Sequence, residues 1–252
     1  TDNSVLRSIG TSFAAPIVSA MAAQTWRALG HSRRQHGLVP SPALVKALLI
    51  HSAQLSSPPR PPEHRRYFGA GMPRDPMAAL FDSSNSFTLV FEVDLVTGTK
   101  WRKDKYPIPQ SMLDGDKLNG EVILTAVYSP PVDASAGAEY VRANLEVGFG
   151  TLEPDDDGTM QFRGRAPMKW DLGSDGLESA QVEHGGKWAP VKIHRKVFSG
   201  MSGSNWALQA SMMRRANEPP ADAPMRAVII VTLRSSDENA DIYNEGARAL
   251  AA

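Results

Sequence analysis

The residues best suited to chemistry stand together near the start of the chain, in Ser8-Ile9-Gly10-Thr11-Ser12-Phe13-Ala14-Ala15-Pro16. A serine hydroxyl is a weak nucleophile until a base takes its proton. In the first turn of a helix, Ser12 is exposed at a terminus. Unpaired backbone N–H groups and the positive end of the helix dipole then point at any oxyanion that develops beside it. Gly10 admits close approach of a substrate or an unusual backbone angle. Gly10 and Thr11 are therefore candidate oxyanion and substrate-loop residues, and Ser12 the candidate nucleophile for acyl transfer. Small Ala14 and Ala15 let the helix sink into a domain, and Pro16 lies near the first turn, where a missing N–H costs little. The plainer alternative is a capped core helix whose Ser12 only satisfies backbone donors.

The rest of the chain offers less. It contains no cysteine, which excludes zinc–thiolate and iron–sulfur sites and a thiol nucleophile. His31 and His36 flank Ser-Arg-Arg-Gln in an expected loop, a spacing that fits no metal pattern. His51 stands in an apolar helical stretch, where a packed or capping role is expected. His64, His184 and His194 have no clustered carboxylate partner. Asp155-Asp156-Asp157-Gly158 is oxygen-rich enough for calcium, but it lacks alternating ligand spacing and a distal bidentate acid, so it reads as a hairpin tip. No cofactor is expected. Arg33-Arg34, Arg65-Arg66, Arg102-Lys103-Lys105 and Arg214-Arg215 are scattered, and 27 basic residues balance 27 acidic ones. This argues against nucleic acid and against a polybasic membrane contact. Trp206 is expected in the core, whereas Trp101, among Lys and Arg, is expected to be exposed.

The elements that would position Ser12 follow from periodicity. Val18, Met21, Ala22, Thr25, Trp26 and Leu29 recur at helical spacing, predicting a helix over 12–29 that Gly30 stops. A second helix starts at Ser41-Pro42, an N-cap followed by Pro at the first helical position, with Leu44, Val45, Leu48 and Leu49 as its apolar face. Residues 55–66 are too Pro-rich for regular structure, and a short helix fits 75–81. Strands are expected at 87–95, 120–128, 139–149, 180–184, 188–198, 204–213 and 225–234. Turn signals separate them at Asp114-Gly115-Asp116, at 155–158, at Ser174-Asp175-Gly176 and at Gly185-Gly186. The tail after Ser235 is polar and expected to be loosely held. Helices followed by a run of short antiparallel strands define an α+β chain with a β-sandwich or jelly roll. At 252 residues there is room for one large or two modest domains. No apolar run reaches the roughly 20 residues of a membrane span. With no signal peptide and no initiator Met, the sequence looks cut from something longer.

Gly10-Thr11-Ser12-Phe13-Ala14-Ala15-Pro16 resembles the nucleophile motif of the subtilisin-like serine proteases, the subtilases. Such a pattern arises by chance in about one in a few thousand chains of this length, so it outweighs the capped-helix alternative. Val45-Lys46-Ala47-Leu48-Leu49-Ile50-His51-Ser52-Ala53 resembles the helix that follows the nucleophile helix in that family. Tyr67-Phe68-Gly69-Ala70-Gly71-Met72-Pro73 is similar to its Gly-x-Gly turn, and 75–80 to the short helix that closes the domain. Ile9 replaces a common Ser, and Met72-Pro73 the usual Val-Asn/Asp. The resemblance implies that residues 1–82 are the C-terminal part of a subtilisin-like α/β catalytic domain and residues 83–252 an accessory β-sandwich. It also implies a serine endopeptidase acting on peptide or protein substrates. The family orders its triad Asp, His, Ser, so the Asp, the His and the oxyanion Asn are expected upstream of Ser12, in a missing N-terminal part. The isolated chain is then expected to be inactive. The strand pieces at 120–125 and 128–133, then Glu139-Tyr140, look like those of large bacterial subtilases, some paired with an AAA-type ATPase, which would imply an intracellular enzyme; the cysteine-free composition neither supports nor opposes that, so a cytoplasmic enzyme is slightly favoured and a secreted one stays open. Two other functions stay open: a non-catalytic docking module, and a pseudo-protease whose unseen Asp and His are degenerate. The apolar helix 12–29, without its parallel sheet, is expected to pack against 87–234 or to self-associate.

Overall fold

The computed structural model describes residues 10–36, 39–59, 64–81, 84–167, 188–215 and 224–251. Helix α1 spans Thr11–His36, seven residues beyond the expected end. Gly30 does not stop it, because a Cβ there would meet only Pro40 at 4.0 Å and no left-handed turn is needed. His31 is accordingly helical rather than in a loop, its Nδ1 lying 2.7 Å from the Arg27 carbonyl oxygen. Helix α2 spans Pro42–Ser56, with Ser41 as its extended N-cap; the Leu44 N–H donates to Ser41 Oγ at 3.1 Å. Two short helices follow, α3 (Arg65–Phe68) and α4 (Ala78–Phe81). Regular structure thus enters both ends of the Pro-rich stretch. Asp75 caps α4, accepting from the Met77 N–H at 2.9 Å.

Nine strands follow among the described residues: β1 (Ser86–Leu95), β2 (Lys100–Lys103), β3 (Leu113–Asp114), β4 (Lys117–Tyr128), β5 (Ala143–Pro154), β6 (Met160–Ala166), β7 (Val191–Ser202), β8 (Trp206–Arg214) and β9 (Met225–Arg234). They form two antiparallel sheets. One has the order β1-β9-β4-β3 with β7 also paired to β4, the other the order β2-β8-β5-β6. Helix α5 (Ile242–Ala251) closes the chain. The class is α+β with antiparallel sheets, as read from the sequence. The expected strand 180–184, the turns at 174–176 and 185–186, Trp170 and His184 lie outside the described residues. Strands β2, β3 and β6 lie outside the expected set: β2 and β3 are only four and two residues long, and β6, Met-Gln-Phe-Arg-Gly-Arg-Ala, carries little apolar content.

The core lies between the sheets. Val122, Leu124, Ala126 and Tyr128 of β4 and Ala227, Ile229, Val231 and Leu233 of β9 face Leu145, Val147 and Phe149 of β5 and Trp206, Leu208 and Ala210 of β8. Phe149 stacks on Trp206 with centroids 5.1 Å apart. Trp101, expected outside, is half-buried against Phe91 at 5.4 Å. The opposite face of the five-stranded sheet is also covered. Val127, Val228 and Ile230 cluster with Leu44, Val45, Ala47 and Leu48 of α2 and Leu29 of α1. Burial on both faces explains why β4 and β9 read as continuous apolar runs rather than alternating ones.

Helix α2, not α1, is therefore the element seated on the strands. Among the described side chains, helix α1 reaches the body through its middle. Thr25 and Leu29 are buried, whereas residues 10–20 are all exposed; Phe13 is 58% and Ile17 62% accessible. The chain after Ser235 is not loose. Ile242 is fully buried, the Ser111 N–H and Oγ donate to Glu245 at 2.8 and 2.7 Å, and Gly246 lies flat against the Phe87 ring.

Candidate active site

Ser12 is the second residue of α1 and is exposed. Gly10 precedes the helix, and its carbonyl accepts from the Phe13 N–H at 3.1 Å, a tight first turn. Thr11 and Ser12 are exposed at the positive end of a 26-residue helix, the end whose dipole favours an oxyanion. Pro16 is the sixth helical residue and so lies beyond the first turn. Its missing N–H deprives the Ser12 carbonyl, four residues earlier, of its helical partner.

His31 turns back on its own helix. His64 is exposed, its ring 6.1 Å from that of Phe68. His194 is buried in β7. His51 is fully buried beneath α2; its Nδ1 lies 3.0 Å from Thr125 Oγ1 and its Nε2 2.7 Å from Thr232 Oγ1. Thr88 Oγ1 extends this row at 2.7 Å from Thr232 Oγ1. Burial, and then the charge of Arg234, lower the His51 pKa from 6.5 to about 3. The ring is therefore neutral, and one nitrogen donates while the other accepts. Among the described residues, no histidine is hydrogen-bonded to Ser12.

A second polar cluster holds the far end of α2. Glu121 of β4 accepts from Arg195 Nε at 2.5 Å and from Arg234 Nη2 at 2.5 Å. Arg195 Nη1 also donates to the Gln54 and Ser57 carbonyls at 2.9 and 2.8 Å, and Arg234 Nη1 to the Leu55 carbonyl at 3.4 Å. Two guanidinium groups thus satisfy the orphan carbonyls and the negative dipole end of the helix. Burial pushes the Glu121 carboxyl up, but the hydrogen bonds and charges of both arginines outweigh it and hold the group below its ordinary range.

The Gly-x-Gly turn closes on the same helix end. Gly69 and Gly71 have φ of 55° and 108°. A Cβ on Gly71 would stand 2.2 Å from Ser57 Oγ and 2.8 Å from the Ala53 carbonyl, so only glycine fits this approach. Gln54 Nε2 donates to the Ala70 carbonyl.

The remaining candidates occupy ordinary places. Asp155-Gly158 is the β5–β6 turn; Asp155 accepts from the Asp156 N–H at 3.0 Å and Asp157 from the Thr159 N–H at 2.8 Å. No group of three or more His, Asp or Glu positioned for a metal occurs among the described residues. Arg102 pairs with Asp104. Arg215 pairs with Glu139 at 3.0 Å and covers the Trp188 ring at 4.0 Å. No described helix is long and apolar enough to cross a membrane.

Residues 1–71 match the model of the subtilase family, the family that the Ser12 motif resembles; the match spans 71 of the 252 residues. No curated protein matches. Among solved structures, a chain of the acidic stable capsid structure of Helicobacter pylori bacteriophage KHP30 is similar at 11% identity, over 59% of this chain and 95% of that one, with a TM-score of 0.22. A TM-score that low carries no argument about fold or function.

Proposed function

We propose that this chain carries the nucleophile of a subtilisin-type serine endopeptidase. Ser12 attacks the scissile carbonyl and forms an acyl-enzyme, and its own backbone N–H contributes to the oxyanion hole with Gly10 and Thr11 lining the substrate loop. One observation carries this reading: Gly10-Thr11-Ser12-Phe13-Ala14-Ala15-Pro16 opens an exposed helix inside a segment that matches the subtilase family. His31 and His51 are bonded to groups other than Ser12; on this reading the base, its orienting acid and the second oxyanion donor come from a part of the catalytic domain outside the described residues. On this reading residues 1–82 belong to the catalytic unit and residues 83–252 to an accessory domain. The strand orders β1-β9-β4-β7 and β2-β8-β5-β6 support assigning that domain to the jelly rolls, because the β1–β2, β4–β5, β6–β7, β7–β8 and β8–β9 connections each pass from one sheet to the other.

The test has two arms. The 252-residue chain alone should not cleave a chromogenic peptide, and the protein assembled with its base-bearing segment should be labelled by a fluorophosphonate at Ser12, with labelling abolished by Ser12→Ala. Hydrolysis by the isolated chain that Ser12→Ala removes contradicts the missing-base part. Absence of labelling at Ser12 in the assembled protein contradicts the enzyme reading and favours a pseudo-protease.

A further inference from the structure

Helix α1 is a lever. Leu29 and Thr25 are buried and Ala22 packs against the same cluster as α2, whereas residues 10–20 are exposed, and Ser12 lies 10 residues ahead of Ala22, about 15 Å along the helix at 1.5 Å per residue. A 10° change in the direction of α1 at Ala22 moves Ser12 by ~2–3 Å at that arm length. Acyl transfer tolerates far less, since a misplacement of about 1 Å can cost on the order of a hundredfold in rate. The direction of α1 depends on α2, whose C-terminal end is held by Arg195 and Arg234 and whose body rests on the sheet largely through Leu, Val and Ala side chains. Apolar contacts of this kind are non-directional and resist sliding or rotation weakly. His51 differs from them. Its two ring nitrogens reach hydroxyls on two adjacent strands, Thr125 on β4 and Thr232 on β9. These threonines are diagonal neighbours on one face, because Thr125 pairs with Ile230 and Ile123 with Thr232. Thr232 is further tied to Thr88 on β1. β4 and β9 run side by side in one sheet, so a slide of α2 along the strands or a roll of α2 strains both bonds, and each broken bond strands a buried polar group.

We propose that His51 is a positioning residue for Ser12, fixing the rotation and slide of α2 on the five-stranded sheet and through α2 the direction of α1. This rests on the reading of Ser12 as the nucleophile, but its structural half can be tested without catalysis. The chain has no cysteine, so spin labels can be introduced cleanly. With labels at Ser19→Cys on α1 and Glu146→Cys on β5, the native chain should give one narrow distance distribution. His51→Leu should shift or broaden it by several ångström, and a Lys46→Cys/Glu146→Cys pair should show the same displacement originating in α2. His51→Gln, which can still reach one hydroxyl, should recover part of the native distribution. If His51→Leu does not fold, Thr125→Val, which severs one strand contact at constant shape, must broaden the distribution instead. In the assembled protease, His51→Leu should slow fluorophosphonate labelling of Ser12 at least tenfold and lower kcat with KM unchanged. An unchanged distance distribution in the folded variant overturns the proposal, as does unchanged labelling with a shifted Tm, which would mark a purely structural role. Loss of labelling in the unsubstituted protease overturns the nucleophile reading alone and leaves the distance measurement decisive.

Discussion

At the residue scale, His51 carries a pH signature set by its burial. Its folded pKa of about 3 lies below the ordinary 6.5 because burial, aided by Arg234, disfavours the charged ring. The unfolded chain therefore binds a proton between these values that the folded chain refuses. The stability contribution is complete above pH 6.5, falls as the pH drops below it, and levels off near pH 3. The slope in this window is about 1.4 kcal/mol per pH unit for one proton. The expected outcome is that urea stability of the native chain falls from pH 7 to pH 4 more steeply than that of His51→Leu; parallel curves would rule it out. Ser12 stands out from sequence as a candidate because its motif is local, seven residues read in one direction. A packed role for His51 was legible from its apolar helix, but its partners were not. They lie 74 and 181 residues away, and a threonine in a strand does not advertise which face it presents to a helix.

At the element scale, the two unexpected features are the same kind of event, a helix taking a place that the local pattern had not assigned. Helix α1 ran past Gly30 because nothing there requires a left-handed turn, and α5 ordered a tail that looked merely polar. Gly246 of this helix lies against Phe87: a Cβ at that position would stand 2.3 Å from the ring, and Phe87 is itself buried in the sandwich core. Gly246→Ala should therefore push α5 away from β1, costing about 1–3 kcal/mol as overpacking does. Limited proteolysis should find residues 242–251 cut faster than in the native chain while the strands stay intact; equal cleavage rates would show that the ring moves aside. The N-cap at Ser41, the face of α2 and six of the expected strands were readable because capping chemistry and periodicity are local. Strands β2, β3 and β6 were not, because they are recruited by pairing with β8, β4 and β5 rather than by their own composition.

At the scale of the whole molecule, the boundary near residue 82 separates two sequence characters but not two surfaces. Val127, Val228 and Ile230 are buried by α2, so the sandwich is completed by a helix from the other segment. A chain of residues 84–252 should expose that apolar sheet face. We expect it to self-associate or bind a hydrophobic dye, measured by light scattering and dye fluorescence, where the 252-residue chain does so less. A monomeric, dye-silent sandwich of equal stability would show that α2 is dispensable. By itself the sequence determined the candidate nucleophile, the caps, the central strands and the mixed α+β class, because each is written in residues within a turn or two of one another. Only the tertiary structure decided that α2 rather than α1 covers the sheet, that His51 joins two strands, and that two arginines from β7 and β9 close the end of a helix more than a hundred residues earlier. These depend on which strands become neighbours, and strand order is set by the burial of the whole core rather than by any local pattern.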